Sequence, residues 1–84
     1  MTTRQRVIEV AERECRKLRD GRKMYSPYGT HTLYADLKKS GITTLPQNFI
    51  EWRMWLRDMR LNSMWLRLHN EGCMIAGYTH LKRK

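Results

Sequence analysis

The sequence predicts a mostly α-helical domain that closes on a small β-hairpin. Three observations carry this. Thr44-Leu45-Pro46-Gln47 reads as a helix start, and a dense Arg/Trp segment follows it to about residue 62. Upstream, a short apolar segment stops at Gly41. Downstream, residues 64–69 and 73–78 read as two short strands around the loop Asn70-Glu71-Gly72. At 84 residues the chain makes one domain. A domain of that size buries roughly 60–65% of the surface its unfolded chain exposes, so its core is thin.

The first helix occupies segment 1–21, from Thr3 to about Leu18. Thr2-Thr3-Arg4-Gln5 fits a capping box, and Gly21 is a plausible stop. Val7, Ala11 and Leu18 fall on one stripe, widened by Ile8 and Cys15. Glu9 with Arg13 and Glu12 with Arg16 are i,i+4 pairs in the favourable order. Residues 22–31 read as a loop, with a possible short strand at Lys23-Met24-Tyr25 and a type I turn at Ser26-Pro27-Tyr28-Gly29. The second helix covers 32–40, with Leu33, Tyr34 and Leu37 on one side. Gly41 and Ile42 then suit a Schellman ending. Only residues 42–44 separate it from the third helix, 45–62, capped by Thr44 with Gln47. A short helix, a turn with Gly and a longer helix is the helix-turn-helix plan.

At 100° per residue, Leu45, Phe49, Trp52, Leu56 and Met59 form the core face of the third helix. Arg53, Arg57 and Arg60 lie together beside it. Ile50, Met54 and Leu61 make a second apolar strip, while Gln47, Glu51, Met54 and Asp58 lie opposite the core. In the tail, Met64, Leu66 and Leu68 alternate with Trp65, Arg67 and His69, as in a half-buried strand.

Lys and Arg total 17 against 8 Asp and Glu, a formal net charge of +9. Such a balance implies nucleic acid, an anionic membrane or an acidic protein as partner. Interleaving of Arg with aromatic residues favours nucleic acid over a membrane, which asks for one clean apolar helix face. Cys15 reads as a buried small hydrophobe. No CxxC pair occurs, and His31, His69 and His80 make no metal-ligand spacing with the cysteines, so neither metal nor cofactor is expected. There is no apolar leader and no run of 18 apolar residues, so a reducing cytoplasm is the expected compartment. No phosphate-binding Gly-rich loop, HExxH or nucleophile motif appears, and the histidines lack a partnered acid, which argues against an enzyme.

The order helix, helix, turn, helix, hairpin resembles a winged helix-turn-helix DNA-binding domain over about residues 30–81. Ile75-Ala76-Gly77-Tyr78-Thr79-His80-Leu81 is similar to the second wing strand of response-regulator output domains. That resemblance implies a small transcriptional regulator on duplex DNA, with the third helix in the major groove and the wing along the backbone or minor groove. The resemblance is to the output domain alone, and phospho-signalling is not implied.

Gln47 and Asn48 are the candidates for base edges, because amides pair with adenine, although Gln47 also has the capping role. Arg53, Arg57 and Arg60 are candidates for phosphates. So are Arg67 and the basic tail Lys82, Arg83 and Lys84 around the wing, whose tip offers Arg67, His69 and Asn70. Two acids opposite the core are poor phosphate partners. The alternative is therefore a protein-interaction factor, of the kind common among phage and mobile-element regulators. It would dock on an acidic partner, or dimerise, through Ile50, Met54 and Leu61 with Trp65 nearby.

Overall fold

The computed structural model of the chain describes residues 2–21 and 27–76. Four helices run in order: α1 Thr3–Asp20, α2 Thr30–Lys39, α3 Phe49–Met59 and α4 Asn62–Asn70. The domain is mostly helical, as the sequence predicts. The Lys23-Met24-Tyr25 strand, Gly77-Tyr78 and the basic tail lie outside the described residues.

The capping box forms as expected. The Gln5 amide donates to Thr2 Oγ1 at 3.1 Å, and the Thr2 amide donates to Gln5 Oε1 at 2.9 Å. α1 continues two residues beyond Leu18 and buries Val7, Val10, Ala11 and Cys15. α2 begins at Thr30, two residues before the predicted start, and buries Leu33 and Leu37. Its ending is the Schellman motif. The Ile42 amide donates to the Leu37 carbonyl at 3.2 Å and the Gly41 amide to the Lys38 carbonyl at 3.1 Å, with Gly41 at φ +88°. These bonds satisfy carbonyls that the last turn leaves open.

α3 starts later than predicted. Its N-cap is Asn48, whose side-chain oxygen accepts from the amides of Ile50 at 2.8 Å and Glu51 at 3.2 Å. A cap at Thr44 would place Leu45 in helical backbone directly before Pro46, where the proline ring disfavours it. Leu45 is instead buried in an irregular connection, Ser40 to Asn48. The Pro46 carbonyl there accepts from Tyr34 Oη at 2.9 Å. The three-residue turn of a helix-turn-helix is not formed.

The largest correction is the hairpin. Residues 64–69 are helical, not extended. Leu61, Met64, Trp65 and Leu68 are the buried members of this stretch. Their spacing is i, i+3, i+4, i+7, one face of a helix, and it overrides the period-two pattern of Met64, Leu66 and Leu68. Gly72, read as a hairpin-loop glycine, is the C′ residue of α4 at φ +102°. The Cys73 amide donates to the Leu68 carbonyl at 3.0 Å and the Gly72 amide to the His69 carbonyl at 3.0 Å, a second Schellman ending. A left-handed glycine serves both motifs, so the residue type alone does not choose between them.

Among the described residues the β content is a single parallel bridge, Tyr28 to Ile75. The Tyr28 amide donates to the Met74 carbonyl at 2.8 Å, and the Ala76 amide donates to the Tyr28 carbonyl at 2.9 Å. The bridge ties the entry of α2 to the chain leaving α4. Gly29 is required beside it, because a Cβ there would stand 2.8 Å from the Ala76 Cβ. Gly29→Ala is expected to cost about 1–3 kcal/mol, the usual penalty of overpacking. The double variant G29A/A76G should recover most of it. Urea melts of both proteins check this, and an unrescued double variant would show that the loss has another cause.

Val7, Ala11, Tyr28, Leu33, Leu37 and Leu68 are the innermost side chains, with Cys15 and Cys73 buried among the core residues. Burial, then the neighbouring Cys73, pushes the Cys15 thiol up to about 12. Burial also raises Cys73, and burial with the hydrogen bond to Asp36 raises Tyr28. An unfolded chain gives up these protons near their ordinary values, while the folded chain holds them. Stability is therefore fully present below the unfolded values and falls as pH rises through and above about 9. Thermal melts should show a Tm that declines from about pH 9 upward; a constant Tm to pH 10.5 would contradict it.

Candidate nucleic-acid interface

Of the α3 residues, Trp52 is buried, and Trp55, Leu56 and Met59 are partly buried against the core. At 100° per residue this points Ile50, Met54 and Arg57 outward, with Phe49 and Arg53 on one flank and Glu51 and Asp58 on the other. Phe49, assigned to the core from sequence, is 61% exposed, and Ile50 and Met54 are 67% and 56% exposed. Ile50, Arg53, Met54 and Arg57 line a shallow groove of about 220 Å³. Arg53 Cζ lies 5.8 Å from the centre of the Phe49 ring.

α3 ends at Arg60, which adopts left-handed backbone, φ 55° and ψ 64°. A non-glycine residue pays about 1–2 kcal/mol for that conformation. The turn is clamped from α1: Arg4 Nε donates to the Met59 carbonyl at 2.6 Å and Arg4 Nη2 to the Arg60 carbonyl at 3.0 Å. The chain reverses here, which is why the predicted strip Ile50, Met54 and Leu61 is divided. Ile50 and Met54 are on the surface, whereas Leu61 and Trp65 are 3% and 6% exposed and belong to the core.

The ionic partners segregate. Arg16 meets Glu71 through two bonds of 3.0 and 3.1 Å, and Glu12 at 3.7 Å. Arg67 pairs with Glu12, Arg13 with Glu14, and Arg19 with Asp20 and Glu71. The Arg16 guanidinium holds the Glu71 carboxyl below its ordinary range, with Arg19 and Arg67 adding to it. Among the described residues no carboxylate pairs with Arg53, Arg57 or Arg60. The i,i+4 pair Glu12–Arg16 forms as expected, while Arg13 turns to Glu14 and to Ser40.

The sequence-predicted site thus divides. Gln47, Asn48, Arg53, Arg57 and Arg60 are all exposed along α3 and its two ends. Asn48 spends its side-chain oxygen on the helix cap. Arg67, His69 and Asn70 sit on α4 rather than at a wing tip, and Arg67 is engaged by Glu12. Lys82, Arg83 and Lys84 fall outside the described residues. Sequence reasoning missed a pocket of about 200 Å³ between the starts of α2 and α3, lined by His31, Tyr34, Pro46, Gln47, Asn48, Phe49 and Trp52. Behind it Tyr34 meets Trp52 edge-on at 4.8 Å, and Trp52 stacks on Trp55 at 5.3 Å. Lys38 Nζ lies 5.5 Å from the Tyr34 ring centre. Trp52 Nε1 is buried without a hydrogen-bond partner among the described residues.

No described helix is long and apolar enough to cross a membrane. Comparison with protein-family models, curated proteins and solved structures finds no match to this chain.

Proposed function

We propose that the chain is a small DNA-binding protein, a transcriptional regulator in the simplest case, that meets its target with the exposed face of α3. The observation that supports this best is the division of charge. Arg13, Arg16, Arg19 and Arg67 of α1 and α4 have carboxylate partners, and Arg4 and Arg6 of α1 donate to backbone carbonyls, while the guanidiniums of Arg53, Arg57 and Arg60 have neither kind of partner among the described residues. Unpaired guanidiniums on one face suit a phosphate backbone. Gln47 at the start of α3 keeps its amide for a base edge, Asn48 keeps only its NH2 because its oxygen caps the helix, and Ile50 and Met54 suit the thymine methyl. The reading does not need a wing. Its test is fluorescence anisotropy with a short duplex between ~50 and 200 mM salt, where electrostatic affinity falls steeply. Absence of binding below ~100 mM salt would end it.

The second reading is docking on an acidic protein through α3. It rests on the exposure of Ile50 and Met54 beside Arg53 and Arg57, since Met and Arg are enriched at interfaces. Met54→Glu separates the two. It should repel an acidic partner outright, and it should weaken DNA binding without abolishing it.

A further inference from the structure

The pocket between α2 and α3 differs in kind from the groove beside it. Its walls are aromatic, from Tyr34, Phe49 and Trp52, and its rim is polar, from His31, Gln47 and Asn48. A flat ring with hydrogen-bonding edges matches that combination better than an aliphatic side chain does. Two of the wall rings also have a cation against them, Lys38 and Arg53, both outside the pocket lining itself. Lys38 Nζ is 5.5 Å from the Tyr34 ring centre, and Arg53 Cζ is 5.8 Å from that of Phe49. Neither cation has a carboxylate partner among the described residues. Beneath lies Trp52, 5% exposed, with its indole N–H unused.

We propose that this pocket takes one unstacked nucleobase, with Phe49 as its stacking wall and Lys38 and Arg53 holding the phosphates on either side. The inference rests on the nucleic-acid reading above and deepens it by naming the form of the ligand. A closed duplex presents base edges in its grooves and keeps base faces stacked inside, so an aromatic wall has nothing to stack on there. Single strands, gaps and bulges offer free faces, which aromatic side chains and arginine bind with little regard to sequence. Extruding a base from a perfect duplex costs a few kcal/mol, and least where the base is already unpaired. The chain therefore prefers nucleic acid carrying an unpaired base.

The experiment compares three probes of equal length at one salt concentration: a single strand, a blunt duplex, and a duplex with one bulged 2-aminopurine. Phe49→Ala is assayed in parallel. Because Phe49 is largely exposed, the variant should keep the wild-type melting temperature. The expected result is tighter binding to the single strand and the bulge than to the blunt duplex, with quenching of the 2-aminopurine on binding. Phe49→Ala should lower affinity for the single strand and the bulge about five- to 150-fold, the range for losing one base–aromatic stack, and leave the blunt duplex within about twofold. Equal affinity for all three probes, or a Phe49→Ala loss shared equally among them, overturns the nucleobase pocket while the DNA-binding reading stands. Failure to bind any probe overturns the DNA-binding reading, and the pocket with it.

Discussion

A protein carrying Arg53→Ala, Arg57→Ala and Arg60→Gly is expected to fold and to show a shallower salt dependence of its DNA binding. Each phosphate contact contributes about 0.9 to the slope of log affinity against log salt, so three contacts contribute about 2.7. Over a fourfold rise in salt the wild type should therefore lose about fortyfold more affinity than the variant. The loss should be alike on all duplex sequences, because these side chains read the backbone. The glycine at position 60 has a purpose. Arg60 occupies left-handed backbone at φ 55°, where glycine is free of the Cβ penalty. Arg60→Gly alone should raise stability by up to about 1 kcal/mol while weakening binding. The Arg60 carbonyl still accepts from Arg4, so the clamp on the turn is kept. A single variant more stable and less active than the parent would mark Arg60 as retained for its charge at the expense of its backbone. A variant with an unchanged salt slope would remove this face from the interface.

Leu68→Ala carries the largest expected effect on stability. Leu68 is fully buried on α4, and its truncation should cost about 3 kcal/mol within the usual span for leucine in a core. In a domain of this size that lowers Tm by about 12–24 °C. Leu66→Ala on the same helix should cost much less, since Leu66 is only half-buried. The contrast discriminates helix from hairpin. In an alternating strand Met64, Leu66 and Leu68 share one face and should respond alike, with Trp65 tolerant. In α4 the sensitive residues are Leu61, Met64, Trp65 and Leu68. Equal losses at Leu66 and Leu68 with a silent Trp65→Ala would argue for the strand.

What was legible in the sequence was local. The capping box of α1 needs only Thr2 and Gln5, and the Schellman end of α2 needs only Gly41 and Ile42. The rest depended on choices between patterns that share residues. Gly72 suits a bulged hairpin and a helix end equally, and the decision comes from whether Trp65 packs inward, which is a tertiary matter. Tyr28 supplies part of that reason, its ring 6.1 Å from that of Trp65. Thr44 was expected to cap α3, and the cap is Asn48 instead, because Pro46 disfavours helical backbone at Leu45. In the candidate site, the basic strip Arg53, Arg57 and Arg60 was readable from helical spacing. That Arg67 is neutralised was not, because its partner Glu12 is 55 residues away. Phe49 was assigned to the core because it is aromatic and lies one turn from Trp52. The actual position of α3 turns it to solvent beside Arg53.

The segregation of ion pairs also decides which cations a ligand can take without competition. A phosphate that reached Arg13, Arg16, Arg19 or Arg67 would have to displace a carboxylate of Glu14, Glu71, Asp20 or Glu12, whereas one that reached Arg53, Arg57 or Arg60 displaces none among the described residues. The carboxylates are resident competitors on α1 and α4, and that contest, more than the count of charges, sets where a polyanion settles. Glu71→Gln, which releases Arg16 from its two bonds, should therefore strengthen binding through the far side.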